Sequence, residues 1–154
     1  MKFKRGILAG AVAMAAMLAF TYLAPKMGLY GMNVPVTLGG VFVLDPNTAY
    51  WLGLAMHLLM GVVVLPIFYV ALIARWLPGP AAVRGGLWGV ALWALWALLG
   101  MTILAAAHPQ ITGGMMQDPG LLMQNLGPTA AAESLLSHAL YGLFLGGVSG
   151  KQSR

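Results

Sequence analysis

The chain has 154 residues, of which 60% are hydrophobic and only 7% charged, and its mean hydropathy is +0.86. Soluble domains carry about 25% charged residues, so this chain has too little polar surface for a water-soluble globule and belongs in a bilayer. With no cysteine, disulfide scaffolds, c-type haem attachment, zinc ribbons and thiol redox chemistry are excluded.

Four apolar stretches are long enough to cross a bilayer, which takes about 20 helical residues. They run Ile7–Ala24, Tyr50–Ala74, Gly85–Ala107 and Ala130–Val148. None holds Lys, Arg or Asp, and the one carboxylate in them is Glu133, in the first turn of the fourth. Backbone groups in lipid must be satisfied internally, so each stretch is expected to be a helix. The absence of period-2 alternation argues against a transmembrane β-barrel. Lys2, Lys4 and Arg5 precede the first span as they would in a signal peptide, but the run is long and ends Tyr22-Leu23-Ala24-Pro25 without a cleavage site, so it reads as a retained helix.

Basic residues set the orientation. Lys2, Lys4, Arg5, Arg75, Arg84, Lys151 and Arg154 fall on one side of the four spans and Lys26 alone on the other. Both termini are therefore expected in the cytoplasm, and the net charge of +5 is a topology signal, with no nucleic-acid partner.

The sequence also repeats itself. Arg5-Gly6-x-Leu8-x-Gly10 returns as Arg84-Gly85-x-Leu87-x-Gly89, Met32-x-x-Pro35 as Met116-x-x-Pro119, and His57-x-x-x-Gly61 as His138-x-x-x-Gly142. The chain reads as one all-α membrane domain over 1–154, a four-helix bundle of two parallel hairpins, 5–74 and 84–148, related by a pseudo-two-fold axis along the membrane normal. Gly6-x-x-x-Gly10 and Gly85-x-x-x-Gly89 supply small faces for close helix contact. Pro66 removes a backbone bond from the second span and predicts a kink. Trp88, Trp93 and Trp96 are assigned in part to lipid or the interface. Val34–Leu44 is too short to span and reads as a re-entrant or interfacial piece.

His57 and His138 are the candidate site. Each stands about eight residues inside the outer boundary of its span, roughly 12 Å deep, on a strip of small residues: Gly53 and Gly61 beside the first, Ser134, Gly142 and Gly146 beside the second. One reading is a ligand pair on the pseudo-symmetry axis, holding haem b between the small flanks of Gly61 and Gly142, or copper with help from Met101. Such a site serves electron transfer or an accessory subunit of a respiratory assembly. Only Lys26 offers positive charge to haem propionates, which counts against haem. The competing reading is a structural or assembly bundle without a cofactor, whose histidines hydrogen-bond across helices. A small oligomeric channel or carrier is the weakest option.

His108, at a span end beside Pro109, is assigned to the interface. The outer-loop methionines 27, 32, 115, 116 and 123 are assigned to packing at the membrane surface rather than to Cu(I). No enzyme constellation stands out: Ser134 and His138 share one helix face, and Glu133 points about 140° away from His138. Asp45 and Asp118 precede prolines in loops, where turn formation explains them. Partners are the lipid bilayer, with other membrane subunits or further copies of the chain left open.

The motifs Arg-Gly-x-Leu-x-Gly (5–10 and 84–89), Leu-Gly-x-x-Met-His-x-x-x-Gly (52–61) and His-x-x-Tyr-Gly (138–142) resemble a family of small bacterial four-helix membrane proteins classed as a domain of unknown function. The resemblance covers nearly the whole chain. It implies the four-helix fold and a bacterial inner-membrane location, and no reaction.

Overall fold

The computed structural model describes residues 2–150, the side chain of Lys2 excepted; Lys151 and Arg154 of the charge pattern lie outside the described residues. All regular structure among them is helical. The long helices are α1 (Lys2–Leu23), α3 (Pro46–Ile73), α4 (Ala81–Ala107) and α6 (Pro128–Gly150); α2 (Val34–Gly40) and the single turn α5 (Pro109–Thr112) lie between them. Three helices are long and apolar enough to cross a membrane: α1 with its 3-10 extension, α3 and α4. The 23-residue α6 spans about 35 Å but carries Glu133, Ser134, Ser137 and His138 in its first half.

Local chemistry starts these helices. Asp45 accepts from the Thr48 backbone N–H at 2.8 Å and from its hydroxyl at 2.7 Å, while Pro46 occupies the first turn of α3, where its missing donor costs nothing. Asn33 caps α2 in the same way through the Val36 N–H. At the opposite end, Arg84 donates to the Gly79 and Ala74 carbonyls and closes the turn between α3 and α4.

The long helices neighbour one another through very small residues. Gly6 and Gly10 of α1 lie against the backbone of Gly61, Val62 and Pro66 in α3, and Gly85 and Gly89 of α4 against His138, Gly142 and Gly146 in α6. Where Cβ atoms are absent the backbones approach closely, and van der Waals contact replaces the hydrophobic drive that lipid lacks. α6 also packs along α1, and Trp88 of α4 stacks on Tyr69 of α3 with ring centroids 6.4 Å apart. The core inside this ring contains Ala9, Ala13, Met14, Met17, Tyr69, Leu92, Tyr141 and Leu145.

Both α3 and α4 widen locally into π turns. In α3 these are Leu59–Val64, ahead of Pro66, and Tyr69–Ile73; in α4 the wide turn is Trp96–Gly100. Pro66 has no N–H to offer to Val62, and the helix meets the loss by shifting to i→i−5 bonds, such as Leu65 to Met60. Wide turns thus lie on either side of Pro66, where the sequence predicted a kink.

Trp88, Trp93 and Trp96 are all half-buried; the fully outward tryptophans are Trp51 and Trp76, near opposite ends of α3. Between those ends Leu59, Val64, Phe68 and Leu72 lie exposed.

Candidate functional site

The α3 and α6 helices face each other through the middle of the bundle. The Tyr141 hydroxyl donates to the Gly61 carbonyl at 2.7 Å. These positions lie three residues beyond His138 and four beyond His57, so the two histidines stand at the same height to within about one helical turn. The sequence-predicted pair therefore shares one level of the bundle, on two helices joined by the Tyr141–Gly61 bond.

The rings are held differently. His138 Nδ1 lies 2.7 Å from the Ser134 carbonyl oxygen, one turn earlier in the same helix. A carbonyl only accepts, so Nδ1 carries the proton and Nε2 keeps its lone pair, the tautomer that ligand histidines adopt when the second nitrogen is anchored to a carbonyl. His57 is half-buried, and its Nδ1 is buried without a hydrogen-bond partner. A paired imidazole site with one ring pre-oriented can take a proton or a soft or borderline metal ion.

The small residues beside the histidines are already in use. Gly61 is covered by the Met14 side chain, with the Tyr141 ring beyond it; Gly142 is pressed against Gly85 and Gly89; Gly53 lies against the α2 backbone at Pro35 and Gly39. The space expected to receive a macrocycle at Gly61 and Gly142 is filled by helix contact, so these glycines act in packing. Met101 is buried in a second cluster with Leu104 and Met123, toward the α2 end of the bundle. Among the described residues no three His, Cys, Asp or Glu side chains gather as a metal-binding group.

Two residues sit where sequence reasoning did not put them. His108, assigned to the interface, is 1% exposed and abuts Gly40, because α2 folds over it. Its Nδ1 accepts from the Gln110 N–H at 3.2 Å, and its Nε2 has no partner. Glu133 is 6% exposed, pressed against Gly31 and near Thr21, with Oε1 unpartnered. The signal for Glu133 was present: a lone carboxylate in an apolar stretch is costly and needs a reason. Nothing local announced His108, since its cover comes from a segment about 70 residues earlier.

A family model described as a family of unknown function, DUF6789, matches residues 1–153. The chain belongs to this family. The DUF6789 assignment agrees with the resemblance read from the short glycine and histidine motifs. No curated protein and no solved structure matches the chain.

Proposed function

We propose that this DUF6789 chain is a four-span integral membrane protein of the bacterial inner membrane, built from two parallel hairpins (5–74 and 84–148) with both termini cytoplasmic. Its function in this reading is non-enzymatic: His57 and His138 hold a metal ion for electron transfer or for an accessory subunit of a respiratory assembly. The observation that supports the reading is the level the two imidazoles share beside the Tyr141–Gly61 bond, with His138 Nδ1 anchored on the Ser134 carbonyl so that Nε2 keeps the lone pair. The filled flanks at Gly61 and Gly142 favour a single ion such as copper over haem b. Matched glycine contacts, α1 on α3 and α4 on α6, support the hairpin repeat.

The same glycine contacts favour a second reading, a cofactor-free structural bundle in which His138 is satisfied by Ser134.

Metal analysis and a visible spectrum of detergent-purified protein separate the two. The metal reading expects about one copper ion per chain, lost in both His57→Ala and His138→Ala. A Soret band lost in the same variants instead identifies haem iron. A colourless, metal-free protein that takes up no copper, and keeps its unfolding midpoint when both histidines are replaced, overturns the ligand role.

A further inference from the structure

The α2 end of the bundle contains a cavity of about 340 Å³, within the size range of pockets for small organic molecules. Its walls come from two segments far apart in the chain, among them Tyr30, Gly31, Met32 and Met116, and from Ala130 of α6. Glu133 does not itself line the cavity, but its Oε2 lies against the lining residue Gly31. A Cβ on Gly31 would collide with Oε2, and Ala130, one turn earlier on α6, shares the Glu133 face. Glu133 is 6% exposed; the Thr21 side chain is a hydrogen-bond partner of its carboxylate, while Oε1 has none. A buried carboxylate with an open acceptor calls for a donor or a positive charge.

Charge around the cavity points the same way. All three carboxylates of the chain, Asp45, Asp118 and Glu133, lie at this end of the helices, where Lys26 is the single Lys or Arg among the described residues. The Lys26 ammonium sits 5.7 Å from the Tyr22 ring centroid. The Asp118 carboxylate is turned to its own loop, accepting from the Gly120 N–H.

We propose that this cavity binds a small alkylammonium ion, with Glu133 as its counter-ion. The alkyl groups meet the polarisable thioethers of Met32 and Met116, and the ring of Tyr30 stands at the rim as a cation–π partner. Gly31 is a positioning residue, since its missing side chain is what lets the carboxylate approach the wall. The same chemistry is offered by a free amine and by the headgroup of a zwitterionic lipid.

The test is calorimetric titration of the full chain, in an uncharged detergent, with choline and with its neutral isostere 3,3-dimethyl-1-butanol. Choline is expected to bind at least about tenfold tighter than the alcohol, and Glu133→Gln to abolish that difference while keeping the helical circular dichroism. Should Glu133→Gln fail to fold, Gly31→Ala, which displaces the carboxylate, is expected to weaken choline by about tenfold or more. Equal binding of the two probes, binding of neither, or an undiminished preference in the variants overturns the proposal. So does tight silver-ion uptake that is lost in Met32→Leu/Met116→Leu while choline fails to bind, which makes the cavity a thioether metal site. In nanodiscs, choline binding in both phosphatidylglycerol and phosphatidylcholine identifies a free amine as the occupant; loss in phosphatidylcholine alone identifies the lipid headgroup.

Discussion

Asp45 shows how one residue can tie a helix start to pH. Its bonds to the Thr48 hydroxyl and backbone N–H favour the charged carboxylate and hold its pKa below the ordinary value of 3.8. A depressed folded value means the contribution of Asp45 to stability is complete above the unfolded pKa and disappears as pH falls through the lower folded one. Unfolding midpoints should therefore drop below about pH 4, and Asp45→Asn, which still caps, should flatten that part of the curve. An unchanged acid limb in the variant counts against the cap as its source. The cap was legible in the sequence as an Asp-Pro pair with Thr three residues after the Asp, although the reading stopped at a turn. His108 was not legible, because its surroundings are assembled by tertiary contact.

At the scale of elements, a glycine matters by what its absent Cβ would meet. On Gly89 it would run into the His138 carbonyl, whereas on Gly147 it would meet the Ala82 Cβ at an ordinary 3.8 Å. Gly89→Ala should destabilise the protein by about 1–3 kcal/mol through overpacking. Gly147→Ala should be neutral or stabilising by up to about 1 kcal/mol from helix propensity. Unfolding in mixed micelles reads both, and equal effects at the two positions dismiss the close-contact argument. The Gly-x-x-x-Gly faces were readable because residues four apart share one side of a helix regardless of context. The repeated Met-x-x-Pro segments were not. The first leads into α2, while the second precedes a 3-10 turn with Leu122 and Met123 in left-handed conformations. That costs backbone energy, and Met123 offsets it by burial in the cluster beside Met101. Conformation there is decided by what the loop packs against, which a four-residue motif does not encode.

For the molecule as a whole, the distribution of apolar surface sets the environment. Only 17% of the most apolar stretch of α3, and likewise of α4, is buried inside the chain, so most of that surface needs a non-aqueous partner. Trp51 and Trp76, near the two ends of α3, match the aromatic belts at bilayer interfaces. Because the chain lacks cysteine, single substitutions report sidedness without background. A membrane-impermeant maleimide is expected to label Lys26→Cys from outside intact spheroplasts and Arg75→Cys only after lysis. The reverse pattern, or labelling of both from one side, overturns the proposed orientation. The proposed orientation rests on the count of basic residues on the two sides; the common depth of His57 and His138 was legible from their equal distance to the outer span ends, and the Tyr141–Gly61 bond adds the contact between their helices.

The wide turn at Leu59–Val64 bears on which length changes the chain tolerates. Such a turn accommodates one more residue than an α-helix would, without rotating the rest of the helix. Removing a single residue between 59 and 64 should restore ordinary winding and leave Tyr69 beneath Trp88. The same deletion between 47 and 57 should swing the remainder of α3 by about 100° and turn Tyr69 out to lipid. A pair of one-residue deletion mutants, compared for expression and unfolding midpoint, should therefore separate into one tolerated and one lost; two equally damaged mutants would mean the wide turn is no such reserve.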